Sequence, residues 1–109
     1  MTASVDAPWQ AAGARADIAD GDRREVELEN GELVLLVGAE GRVFACAADC
    51  PHQDSPLCDG IVQGRLLTCP LHFWQWDLND GSPVGLAELP LRVFEIREVD
   101  GQILVRMDD

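Results

Sequence analysis

The chain has 109 residues, 47% of them hydrophobic and 26% charged, which are the proportions of one ordinary globular domain. Eight Arg, no Lys and twenty Asp or Glu leave a formal charge of −12. That balance argues against the basic face that nucleic acid or an anionic membrane demands and favours a basic protein partner or simply high solubility.

Residues 1–8 read as a frayed start, with Pro8 just ahead of a first anchoring aromatic, Trp9. Met1 to Gln10 lacks the basic start and apolar stretch of a secretory signal, and no run of the chain is apolar for long enough to span a bilayer. The expected location is therefore the cytoplasm. Ala11 to Ala19 is alanine-rich but holds Gly13 and shows no clear apolar stripe, so helical periodicity is weak. Arg24 to Glu29 alternates polar and apolar residues, the period of a half-buried strand, and Asn30-Gly31 is a hairpin signal. Leu33 to Val37 is nearly all apolar, which predicts a strand buried on both faces. A turn at Glu40-Gly41 leads into a third strand, Arg42 to Cys46.

Residues 47–90 change character. Pro and Gly are frequent, both His fall here, and apolar runs are as short as Arg65 to Thr68. Strand text resumes at Leu91 to Arg97, and a turn at Asp100-Gly101 precedes a last strand, Gln102 to Met107. The expectation is one all-β domain of residues 1–109, with an antiparallel base built from the two ends and a loop-rich, site-bearing segment at 47–90. Such a segment cannot be held by hydrophobic burial alone, and a bound metal centre would staple it.

The donors for that staple are present. Cys50-Pro51-His52 and Cys69-Pro70-Leu71-His72 each pair a thiolate with an imidazole, with sixteen residues between His52 and Cys69. Two facing loops of this kind give a Cys₂His₂ set, which suits a structural zinc, a lone iron, or a [2Fe-2S] cluster with two Cys on one iron and two His on the other. Zinc motifs group like ligands, as Cys-x₂-Cys followed by His-x₃₋₅-His. Here each loop is mixed, so each would deliver one ligand to each of two irons.

Cys-x-His, sixteen residues, Cys-x-x-His resembles the Rieske family, with Pro51 and Pro70 also in place. Leu57, Gly60 and Gly64 are similar to the family's link between the ligand loops, and Asp77 and Gly81 to the strand and turn that follow. The resemblance covers nearly the whole chain and implies a Rieske fold, a β-sandwich base carrying a cluster-binding subdomain. It implies one [2Fe-2S] cluster per chain, with Cys50 and Cys69 on the inner iron and His52 and His72 on the outer. A third, shielding loop within 82–90 would carry Pro83 and Pro90. Two thiolates and two neutral imidazoles leave the oxidised cluster uncharged, so it accepts an electron more readily than a four-thiolate cluster, in a range of roughly −150 to +300 mV. Ser55 and Leu71 stand where high-potential members carry a loop-bridging pair of Cys, and Phe73-Trp74 stands where they place Gly-Ser. Both departures imply the low end of that range.

Other residues carry simpler readings beside functional ones. Cys46 and Cys58 read as small buried hydrophobes rather than a disulfide or a second metal site. Trp74 and Trp76 share one strand face, where Trp74 is either a docking aromatic or a lid on the cluster and Trp76 is core. Gln53 and Asp54 read as turn chemistry, or as groups that orient a partner. Asp49, Asp54, Asp59, Asp77 and Asp80 form either a negative docking face or part of a generally acidic surface. Asn79-Asp80-Gly81 is a turn.

With no Lys and no Tyr, amine-nucleophile and phenol chemistry is excluded. The chain leaves little room for a substrate pocket, and a fully ligated cluster offers no open coordination position. The resemblance therefore implies an electron carrier rather than an enzyme, monomeric by default. It implies a ferredoxin that takes electrons from an NAD(P)H-dependent flavoprotein reductase to a terminal oxygenase. Pro51-His52-Gln53, His72-x-Trp74 and Asn79-Asp80-Gly81 look more like the ferredoxins of soluble diiron monooxygenases for toluene and alkenes than those of ring-hydroxylating dioxygenases. A zinc or cluster module with a structural or sensing role is the rival of another class.

Overall fold

An apolar run that offers buried residues to both faces of a strand needs a layer on each side, and Leu33 to Ala39 is such a run. The computed structural model describes residues 9–28, 31–49, 57, 60–69, 73–85 and 87–106. Among them it places eleven strands, one 3-10 turn at Arg15–Asp17 and no α-helix. In chain order these are β1 (Trp9–Ala14), β2 (Arg23–Glu27), β3 (Leu33–Ala39), β4 (Arg42–Ala47), β5 (Ile61–Gln63), β6 (Leu66–Thr68), β7 (Gln75–Asp77), β8 (Pro83–Val84), β9 (Val93–Phe94), β10 (Ile96–Val99) and β11 (Gln102–Arg106). All the pairings are antiparallel. None of the described segments forms a helix long and apolar enough to cross a membrane.

The strands form three sheets, ordered β1-β11-β10, β2-β3-β4-β9 and β5-β6-β7-β8. The second is the middle layer, and β3 is one of its two inner strands. Leu35, Val37 and Ala39 of β3, with Phe44 and Cys46 of β4, join one core cluster that also holds Leu57, Leu67, Cys69, Trp74 and Trp76. Val34 and Leu36, with Val43 and Ala45, face the other way into a second cluster with Ala12, Ile103 and Val105. Successive side chains of a strand point to opposite faces, so β3 serves both cores. The doubly buried strand read from the sequence is thus present, two residues longer than expected.

The β2–β3, β3–β4 and β10–β11 hairpins also stand where the sequence placed them, though Glu29, Asn30 and Met107 lie outside the described residues. Asp100 and Gly101 have φ of 51° and 79°, the paired positive angles of a type I′ turn. The expected strand Leu91 to Arg97 is corrected. Val93–Phe94 pairs with β4, while Ile96–Val99 pairs with β11 in a different sheet. Glu95 is the crossing residue, and its carbonyl accepts the Arg106 amide at 2.9 Å. Ala11 to Ala14, given no element from sequence, belongs to β1, which pairs along β11 with a register shift between Ala11 and Gly13.

Candidate metal centre

Within the loop-rich segment, β5 to β8 form a four-stranded meander, and the β6–β7 turn carries the second Cys-His loop. Cys69 follows β6 and is 1% exposed. Two backbone bonds draw the feet of the turn together: the Cys69 amide donates to the Trp74 carbonyl at 2.7 Å and the Phe73 amide to the Cys69 carbonyl at 3.2 Å. Beside them the Gln75 side-chain amide donates to the Thr68 hydroxyl at 3.1 Å. That bond satisfies a polar group that is buried one residue before Cys69.

The feet of the first loop converge on the same cluster. Leu57 donates its amide to the Ala48 carbonyl at 2.9 Å and buries its side chain completely in the core that holds Cys69. Gly60 lies so close to β6 that a Cβ there would overlap the Thr68 carbonyl oxygen. From the middle sheet, the Arg23 guanidinium donates to the Gly60 carbonyl. Cys50, His52 and His72 lie outside the described residues, as do Gln53, Asp54, Ser55, Cys58, Asp59 and Leu71. Cys69 is therefore the one expected ligand among the described residues. A soft thiolate donor in an apolar wall of Leu57, Trp74 and Trp76, supplied by a mixed Cys and His set, fits an iron–sulfur group.

Both tryptophans face inward. Trp74 is 8% exposed and Trp76 is 0% exposed, with ring centroids 6.3 Å apart and planes at 68°. The Trp76 indole donates to the Leu89 carbonyl at 2.8 Å, which fastens the 87–91 segment over the meander. Of the two readings for Trp74, burial supports the lid and removes the docking aromatic. The exposed aromatic is its neighbour Phe73, at 63%. The sequence marks Phe73 only as part of the pair that replaces Gly-Ser, not as a surface aromatic, although its position directly after His72 was the available signal.

Cys46 is a core residue, opposite Leu35 and Val93 in register, and burial pushes its thiol up to about 12. Asp77 and Asp80 serve the turn after β7. The Asp77 carboxylate accepts the Asn79 amide at 2.8 Å and lies 3.6 Å from Arg65, and Asp80 accepts the Ser82 amide at 2.9 Å. The bonds from Ser82 hold the Asp80 carboxyl below the usual carboxylate range. Asn79-Asp80-Gly81 is the turn expected, closed by the Gly81 amide on the Asp77 carbonyl at 2.7 Å. Asp49 is exposed. Of the two prolines in the shielding segment, Pro83 belongs to β8 and pairs with Trp76.

Among curated proteins, the chain is 37% identical over 95 residues to the ferredoxin component of the naphthalene 1,2-dioxygenase system of Pseudomonas putida, covering 82% of this chain and 90% of that one. It is 32% identical over 90 residues to the ferredoxin component of the alkene monooxygenase system of Xanthobacter autotrophicus, covering 82% and 73%. It is also 33% identical over 107 residues to a probable 3-ketosteroid-9-alpha-monooxygenase oxygenase component of Rhodococcus rhodochrous; the match takes in 92% of this chain but spans only 27% of that longer protein. The fold matches a solved Sphingomonas yanoikuyae B1 ferredoxin with a TM-score of 0.84 at 22% identity, over 90% of this chain and 97% of that one. The Rieske [2Fe-2S] domain family matches residues 8–95, the stretch that holds both Cys-His loops, the meander and the middle sheet, and this chain belongs to that family.

Proposed function

We propose that this chain is a Rieske ferredoxin, a cytoplasmic monomer that carries single electrons from an NAD(P)H-dependent flavoprotein reductase to a terminal oxygenase. The observation that carries the reading is Cys69. It is buried at the closed foot of the Cys-x-x-His turn, against a wall of Leu57, Trp74 and Trp76, in a chain matched by the family across both loops. Cys50 and Cys69 would hold the inner iron, and His52 and His72 the outer. When bound, the cluster supplies one-electron redox chemistry at a potential raised by its imidazole ligands.

The residues around it have separate tasks. Leu57, Trp74 and Trp76 exclude water from the Cys69 side, which strengthens the electrostatic effect of each nearby dipole. Arg23 and Gly60 tie the first loop's exit to the middle sheet, which keeps the feet of both loops at a fixed spacing. Trp74 supplies no hydroxyl where a high-potential member would have one, so the expected potential lies at the low end of the Rieske range.

For the terminal partner we infer the diiron hydroxylase of a multicomponent hydrocarbon monooxygenase, supported by Pro51-His52-Gln53, His72-x-Trp74 and Asn79-Asp80-Gly81. A ring-hydroxylating dioxygenase is the second reading, favoured by 37% identity to the naphthalene system's ferredoxin. Two measurements test the reading. Electron paramagnetic resonance of the dithionite-reduced protein is expected to give a rhombic signal with an average g below that of four-Cys ferredoxins. A colourless protein that holds zinc would overturn the carrier. Reconstitution with a reductase is expected to restore NADH-dependent turnover of a diiron hydroxylase; turnover of a dioxygenase alone would reverse the choice of partner.

A further inference from the structure

The turn that holds Cys69 closes on a residue in an unfavourable conformation. Phe73 has φ of +59°, in the left-handed region that glycine or asparagine occupies at least cost. Its ring joins neither core cluster and returns little to the fold, since Phe73 is 63% exposed, the highest value of any described large hydrophobic residue. The tryptophans one and three positions on are buried. The closure of the turn by the Cys69–Trp74 and Phe73–Cys69 backbone bonds sets the Phe73 angle, but nothing in the fold calls for an exposed aromatic ring there, directly after His72, and such strain gathers where a surface is used.

The charge of the chain describes what the ring would meet. Its cations are largely folded back on the protein: Arg15 on Glu98, Arg65 on Glu40 and Asp77, and Arg106 on Glu95. Arg42 and Arg92 lie over Phe44 and Phe94. The surface is left to a formal charge of −12, which selects a basic partner face. We propose that Phe73 is the apolar anchor by which the carrier docks on its terminal oxygenase, and that it enters an apolar recess rimmed by Arg or Lys. An aromatic anchor of this kind at the centre of a charged interface concentrates binding energy in one side chain. The inference rests on the carrier reading and names the surface that reading requires.

The test uses the cluster-loaded protein with Phe73→Gly, and with Phe73→Asn as a second variant compatible with the left-handed angle. Relief of the backbone should leave the thermal midpoint equal to or above that of the parent, with visible and paramagnetic spectra unchanged. The KM for the carrier in oxygenase turnover should rise roughly tenfold, as for loss of one interface anchor, with kcat at saturation retained. Reduction by the flavoprotein reductase should be unaffected, and Phe73→Trp should restore the KM. An oxygenase KM within about twofold of the parent overturns the anchor while leaving the carrier reading intact. So does a lowered midpoint in both variants, which would make Phe73 structural, or an effect on the reductase alone. A parent protein that feeds no oxygenase of either kind overturns the carrier reading and the anchor with it.

Discussion

Replacing Gly81 by alanine isolates the contact that seats the meander on the rest of the protein. Gly81 has φ of +80°, and its carbonyl accepts the Leu91 amide at 2.9 Å. A Cβ at this position would overlap the Leu91 carbonyl oxygen and stand 3.1 Å from that residue's carbonyl carbon and 3.3 Å from a Val93 methyl. The obstruction is backbone, so no side-chain rotation relieves it. Leu91 must move, and it is buried in the same core cluster as Trp76 and Leu78. The left-handed angle costs alanine about 1 kcal/mol. Loss or weakening of the 77–81 and 81–91 hydrogen bonds adds about 1 kcal/mol each, and loosened packing of Leu91 about 1–2 kcal/mol. The expected destabilisation is about 4 kcal/mol, a large part of the total stability of a small domain. Gly101→Ala is the control, because Gly101 has φ of +79° and open space where its Cβ would go, so it carries the backbone cost alone. Urea unfolding of both variants, followed by far-ultraviolet circular dichroism, should separate them by about 3 kcal/mol. Unfolding free energies that agree to within about 0.5 kcal/mol would refute the close approach as the source of the cost.

Three further outcomes follow from the same geometry. Trp76→Phe keeps an aromatic ring in the core but removes the bond to the Leu89 carbonyl and leaves part of the indole's volume empty, and should cost about 1–3 kcal/mol by urea unfolding, with faster amide exchange across 87–91. Cys46 should resist alkylation at pH 8 until the protein unfolds. Its thiol is raised from an ordinary 9.0 to about 12, so its contribution to stability is complete below pH 9 and lost as pH rises toward 12. With no Lys or Tyr titrating in that window, the parent should lose stability more steeply than Cys46→Ala, by about 1.4 kcal/mol per pH unit in urea titrations. His72→Cys puts a thiolate in place of an imidazole, so any intact cluster should show a lower midpoint potential by voltammetry, and a higher one would contradict the ligand assignment.

What could be read from the sequence was what is local. The doubly buried β3 and its flanking turns are visible because their pattern runs over the five contiguous residues Leu33 to Val37 or over two-residue signals. The ligand types are visible because each loop places its donors within four positions. By contrast β5 to β9 are two or three residues long and carry no measurable period. β1 has an alanine-rich sequence of low strand propensity, and it is a strand only because β11 supplies its hydrogen bonds. The break at Glu95 left only a slight trace, a slip in the alternation of Leu91 to Arg97 where Val93 and Phe94 are both apolar, and the two halves serve different sheets. Trp74 and Trp76 illustrate a rule that was available: residues two apart on a strand share a face, so a core assignment for one implies it for the other. The left-handed angle at Phe73 follows no propensity and is set by the closure of the turn.

The pairing of β1 with β11 places Trp9 across from Arg106. On a ribosome, that pairing waits until residue 106 has emerged, whereas the β2–β4 meander and the β5–β8 meander each need only their own contiguous stretch. Closing so long a loop is entropically the slowest step, so the first sheet should seal last. Both ligand loops are then framed by nearly finished sheets before the base closes, and β1 spends the interval as an unpaired edge. Pulse-labelled hydrogen exchange during refolding should show protection at Val34 to Val37 ahead of Trp9 to Ala14. The nascent protein would thus offer its thiols to cluster delivery while one end is still unzipped.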